Sequence, residues 1–198
     1  MRPYVIGLTG SIGMGKTTTA KLFADEGVPV WSADDAVHRI YSKGGAAVPS
    51  VNKLCPDAVI DGAIDRAALS DWIVAEPDRL RQIEEVVHPF VAADRQSFID
   101  GLSARIVLVD VPLLFETGAD RYVDAVIVVT APAEEQRRRV LERAGMTAAK
   151  LDMILAKQLP DAEKRARADF VVEATSLESA RKAVQDVLGQ VKDGLNHA

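Results

Sequence analysis

The eight residues Gly10-Ser11-Ile12-Gly13-Met14-Gly15-Lys16-Thr17 carry the clearest chemistry in this chain. They match the G-x-x-x-x-G-K-[ST] pattern of a phosphate-binding Walker A loop. Glycines without a Cβ let consecutive backbone N–H groups crowd around an oxyanion. The helix that follows adds the partial positive charge of its N-terminus. Lys16 supplies a point charge for β- and γ-phosphates, and the Thr17 hydroxyl suits a magnesium ion. Gly13, Met14, Gly15, Lys16, Thr17 and Thr18 are therefore read as nucleotide-binding, with ATP as co-substrate and Mg²⁺ as cofactor.

Moving a phosphoryl group also takes an oriented nucleophile and further cations. Asp34, just after a short apolar stretch, is the candidate base for an acceptor hydroxyl and a second candidate metal ligand; Asp35 fits a helix-capping role with Ser32. Asp110 ends an apolar strand, where a Walker B acid stands beside the metal, and Glu116 follows on the same crossover. Arg139 and Arg143 are one helical turn apart and are expected to share a face. Arg139 joins Lys16 and Asp34 as a candidate catalytic residue, and Arg143 is placed on the nucleotide. The other cations of that stretch, Lys164 among them, are read as solvated.

A parallel sheet is needed to hold these groups together. Tyr4–Thr9, Val28–Trp31, Ile106–Val111, Ala125–Thr130 and Phe170–Glu173 read as strands, and the continuous apolar runs at 106–109 and 126–129 fit strands covered on both faces. Helical patterns lie between them, giving an α/β, three-layer nucleotide-binding fold with a five-stranded parallel sheet. The expected parts are a core of about residues 1–42, 102–132 and 168–198, an inserted helical substrate lobe of about 43–101, and an Arg-rich helical lid of about 133–167. Gly27 should stop the first helix, Pro77 should open a helix, Pro89 should break or re-aim it, and Thr147 should cap another. The tail Gly194–Ala198 is expected to fray.

Composition sets outer bounds. With 198 residues, 48% of them hydrophobic, the chain can bury a core; a net charge of -5 argues against a general nucleic-acid binder. No apolar run reaches the ~20 residues of a membrane span, and a lone Cys55 fits a reducing compartment, so a cytoplasmic setting and no membrane partner are expected. A monomer or weak homo-oligomer is anticipated.

Five stretches taken together resemble the dephospho-CoA kinases: Gly7-Leu8-Thr9-Gly10 running on to Lys16, Ser32-Ala33-Asp34, His88-Pro89, Asp110-Val111-Pro112-Leu113-Leu114-Phe115-Glu116, and Arg139, Arg143 and Gln158 leading to Ala168-Asp169-Phe170-Val171-Val172. The resemblance spans nearly the whole chain. It implies transfer of the γ-phosphoryl group of ATP to the ribose 3′-hydroxyl of dephospho-CoA, the last step of coenzyme A synthesis. It also implies that Thr9, Asp34, His88, Leu114, Glu116 and Gln158 contact that substrate. Ser32 stands where an Asp is frequent, Met14 where a Ser is common, and Ala174 where an Asn is usual near the adenine. A P-loop kinase for another small alcohol or nucleotide, or a non-catalytic nucleotide-gated binding module, are the competing readings.

Overall fold

The structure, a computed structural model, describes residues 2–76 and 78–197. Two compact units make up the chain: residues 2–30 with 103–197, and Trp31–Leu102. The second takes in the helix after the second strand as well as the segment 43–101.

Five strands form one sheet: β1 (Tyr4–Thr9), β2 (Val30–Ser32), β5 (Ile106–Asp110), β6 (Ala125–Thr130) and β7 (Phe170–Glu173), in the order β2-β5-β1-β6-β7. Pairing is parallel, with Leu8 of β1 opposite Asp110 of β5 and Thr9 opposite Val128 of β6. The register brings the carboxyl ends of β1 and β5 side by side, where ligands gather in open α/β sheets. β2 starts two residues later than expected. The Val28 N–H is still committed to the carbonyl of Phe23, closing α1 (Lys16–Asp25), and Gly27 takes a positive φ of 81° at that stop. Ile6, Leu8, Leu108, Ile127 and Val129 from the strands pack with Phe23 of α1 and with Val184 and Leu188 of α9 (Leu177–His197). α9 is helical to His197, through the segment 194–197 where fraying was expected. An apolar stripe from Ala180 to Val191 docks it on the sheet and carries its last turn. Ala198 lies outside the described residues.

Between β6 and β7 come α6 (Ala133–Leu141), α7 (Ala148–Leu155) and α8 (Asp161–Ala166). Thr147 caps α7 by accepting the Lys150 N–H at 3.3 Å, as its type suggested.

The second unit contains α2 (Ala33–Tyr41), α3 (Val48–Leu54), a hairpin of β3 (Val59–Ile60) and β4 (Ala63–Ile64), α4 (Arg66–Ala75) and α5 (Arg79–Asp100). The Ser32 side chain accepts the Asp35 N–H at 3.2 Å and opens α2. The hairpin interrupts a stretch expected to be mostly helical. Its turn is Asp61-Gly62, both at positive φ, the pair a tight hairpin requires. Pro89 does not break its helix. α5 continues through it because Ile83 and Val87 before it, with Phe90 and Val91 after it, pack into one apolar cluster with Ile40, Val51 and Leu69. That burial outweighs the roughly 3 kcal/mol of an internal proline. Pro77 lies outside the described residues; α5 begins with Asp78 as its N-cap. Trp31 is buried, its indole N–H donating to Asp94, and Cys55 is buried, which fits packing roles for both. Among the described residues no helix is long and apolar enough to cross a membrane.

Candidate active site

The loop between β1 and α1 has the backbone of an anion cradle. Gly13 and Gly15 take φ values of 81° and 96°, which L side chains rarely adopt. Space is tight as well. A Cβ on Gly13 would fall 2.5 Å from Val140 Cγ2, and one on Gly15 would fall 3.0 Å from the Ala174 Cβ. Lys16 and Thr17 follow in the first turn of α1, with Thr17 and Thr18 exposed.

Lys16 Nζ lies 2.5 Å from Asp110 Oδ1. The β1–β5 register makes this meeting possible, since it puts the end of β5 next to the strand that feeds the loop. Thr9, also buried, donates its hydroxyl to the Pro112 carbonyl at 3.0 Å and holds the start of the crossover against β1.

Arg139 from α6 reaches over the loop. Its Nη2 donates to the Ala174 carbonyl at 2.7 Å and its Nε to Glu135 Oε1 at 2.7 Å, while Nη1 is 3.5 Å from where a Gly15 Cβ would stand. Glu135 is held down to about 2 by the Arg138 and Arg139 guanidinium groups. Arg143 does not share a helical face with Arg139. α6 ends at Leu141 with Glu142 as its C-cap, and Arg143 sits exposed beyond it.

Two glutamines grip the phosphate loop at Ile12. Gln136 Nε2 donates to the Ile12 carbonyl at 2.8 Å, and Gln158 Oε1 accepts the Ile12 N–H at 3.2 Å. Gln158 was a sequence candidate. Gln136 was not; in sequence only its place one turn before Val140, which walls Gly13, distinguishes it.

The crossover after β5 is tied to the same segment. Leu114 is fully buried beside Phe115, Val126 and Val128. Glu116 Oε1 accepts the Leu159 N–H at 2.8 Å and lies 2.8 Å from Lys164 Nζ. Burial pushes the Glu116 carboxyl up, but the Lys164 ammonium and the Leu159 and Glu116 N–H groups outweigh it and hold it below the usual range. Lys164 corrects the expectation of a solvated cation: it is fully buried. Its contact with Glu116 is an ion pair without hydrogen-bond alignment. Asp161 Oδ1 is a second buried polar atom with no hydrogen bond.

A cavity of about 470 Å³ opens beside the loop, lined among others by Met14, Pro132, Gln136, Asp161, Arg165 and Thr175. Met14 closes its floor, its sulfur accepting the Ala131 N–H at 3.1 Å. Asp161 is fixed there by the Thr130 hydroxyl at 2.8 Å and Arg165 at 2.9 Å.

In the other unit, Asp34 is exposed in the first turn of α2 and His88 is exposed on α5.

A five-stranded parallel sheet, a glycine-built loop at a helix N-terminus and a lysine against a strand-end carboxylate define a P-loop kinase-type nucleotide site. The Dephospho-CoA kinase family model matches residues 4–179. A Dephospho-CoA kinase of Cereibacter sphaeroides is 55% identical over 193 residues, 98% of each chain. A solved Thermus thermophilus protein superposes with a TM-score of 0.84 at 37% identity, covering 96% of this chain and 98% of that one. The Dephospho-CoA kinase of Campylobacter jejuni shares the fold, with a TM-score of 0.71 at 24% identity over 96% and 98%. This chain belongs to the dephospho-CoA kinase family.

Proposed function

We propose that the chain transfers the γ-phosphoryl group of ATP to the ribose 3′-hydroxyl of dephospho-CoA, giving ADP and CoA. Family membership supports the reaction. The observation that carries the site is the Lys16–Asp110 pair at the mouth of a glycine-lined anion loop.

In this reading the backbone amides of Gly13 to Thr18 take the phosphates, and the 470 Å³ cavity takes the adenosine end. Lys16 leaves Asp110 for the β- and γ-oxygens, and Arg139 adds charge over the loop. Arg143 is assigned to the nucleotide as the lid closes, excluding water that would otherwise hydrolyse the phosphoryl group. Thr17 and Asp110 offer the hard oxygen donors that Mg²⁺ takes alongside phosphates; Asp34 is assigned as a further ligand. When bound, that ion neutralises charge developing on the phosphoryl oxygens. No closed cage of three His, Cys, Asp or Glu side chains exists among the described residues, which suits an ion held largely by water and phosphate.

Asp34 is assigned as the base that accepts the proton of the 3′-hydroxyl. His88 and Gln158 are assigned to the acceptor, with the Thr9–Pro112 and Leu114 segment shaping its floor. A cytoplasmic, reducing setting agrees with the single cysteine.

Mass spectrometry after incubation with ATP, Mg²⁺ and dephospho-CoA tests the reading. One added phosphate on the 3′ oxygen is expected. ATP consumption with no phosphorylated acceptor, or transfer only to another alcohol, overturns it.

A further inference from the structure

The dipeptide Gln158-Leu159 is fastened on two sides. Gln158 Oε1 holds the N–H of Ile12 in the phosphate loop, and the Leu159 N–H is held by Glu116 Oε1 on the β5 crossover. Glu116 is also the partner of the fully buried Lys164, one turn into α8. Two more contacts bind the same two segments: Arg167 stacks over Phe115 at 4.2 Å and pairs with Asp120 at 3.0 Å.

We infer that Glu116 is a positioning residue for the nucleotide rather than a contact for the acceptor. Its side chain is 17% exposed, and its Oε1 faces two donors from the lid's end of the chain. A carboxylate spent this way sets where Leu159 lies. Leu159 sets its neighbour Gln158, and Gln158 with Gln136 sets the Ile12 peptide. α8 also carries Asp161 and Arg165 into the wall of the adjacent cavity. One ion pair therefore fixes a short helix that borders the cavity, together with the residue that touches the loop. Preorganised amides bind phosphate better than amides that must be ordered on binding.

The proposal rests on the nucleotide site described above, and its test separates the two. The free enzyme is titrated with ADP, without acceptor, for wild type, Glu116→Gln, Lys164→Met and the double variant. Titrations are run well below each melting temperature. In Glu116→Gln the Lys164 charge stays buried without a counter-charge, and ADP affinity is expected to fall about tenfold. Removing the lysine too leaves a neutral pair, in which the amide oxygen introduced by Glu116→Gln still accepts the Leu159 N–H. The double variant should recover most of the lost affinity.

An unchanged ADP affinity in Glu116→Gln, with only the KM for dephospho-CoA raised, overturns the proposal in favour of direct acceptor contact. A loss that Lys164→Met does not relieve overturns it as well. If Glu116→Gln does not fold, Glu116→Asp decides. It keeps the charge but withdraws from Leu159, so weakened ADP binding supports the inference and wild-type binding ends it. Failure of the wild type to bind ADP removes the nucleotide site itself, and the proposal with it.

Discussion

The ammonium of Lys16 rests 2.5 Å from the carboxylate of Asp110, two side chains 14% and 11% exposed at the ends of neighbouring elements. Each neutralises the other. In the proposed reaction a triphosphate parts them, freeing Lys16 for its oxygens and Asp110 for the metal assigned to it. Asp110→Asn should therefore separate two properties. Metal-free ADP binding should hold within a few-fold, while Mg²⁺-dependent turnover falls about 10²-fold or more. Steady-state kinetics across a Mg²⁺ titration checks this; an unaltered kcat and metal dependence excludes Asp110 from the metal site.

Lys16→Ala removes the point charge that the proposed function assigns to the transferring group. A fall of about 10²–10³ in kcat is expected, the scale seen when one preorganised donor is lost. It should also leave Asp110 partly buried without its cation, so a lower melting temperature should accompany the kinetic defect. Full activity in this variant contradicts the phosphate-loop assignment.

Asp34→Asn keeps size and shape on an exposed first turn whose cap is made by Ser32, so fold and nucleotide affinity should survive. Turnover should drop about 10²–10⁴-fold, the usual worth of a positioned base. Circular dichroism, ADP titration and kcat together test it, and a normal kcat removes Asp34 as the base.

Gly13→Ala places a methyl 2.5 Å from Val140 Cγ2 and 3.0 Å from the Gln136 carbonyl, at a φ of 81°. Backbone strain and overpacking add to a loss of about 2–4 kcal/mol, read as a drop in the denaturation midpoint. Gln136 also holds Ile12, so ADP binding should weaken beyond what the stability loss explains.

Acid should act on Glu116. Its carboxyl titrates below the ordinary 4.5 in the folded chain, so its contribution is present above about pH 4.5. That contribution is lost as pH falls through the lower, folded value. Wild-type stability should decline over this window, and Glu116→Gln should start lower and decline less steeply. Chemical denaturation at a series of pH values gives both slopes; parallel slopes contradict the assignment.

Much of this architecture is written in local pattern. The apolar, β-branched runs at 106–109 and 126–129 fit strands covered on both faces, and the phosphate loop declares itself through glycine spacing before a lysine. Caps at Ser32 and Thr147 are equally local, because a hydroxyl three residues before a free N–H needs nothing further away. The Asp61-Gly62 turn is a local signal too, but the strands flanking it are two residues each, too short for any alternation to show.

Neighbouring residues alone were enough to specify a phosphate loop, a parallel sheet and a set of candidate polar residues. Which side chains meet across long separations was left to the packed molecule. No local pattern marks Lys164 as the lysine of a basic run to be buried, or Gln136 as a clamp on Ile12. Nor does one show that Pro89 sits inside a helix. Each depends on what a distant segment presents: Glu116 is 48 residues from Lys164 by number, and Gln136 is 124 residues from Ile12. A charge run looks solvated until a carboxylate from another element is packed against it. A proline looks like a break until the apolar residues around it gain more from burial than the helix loses in one hydrogen bond.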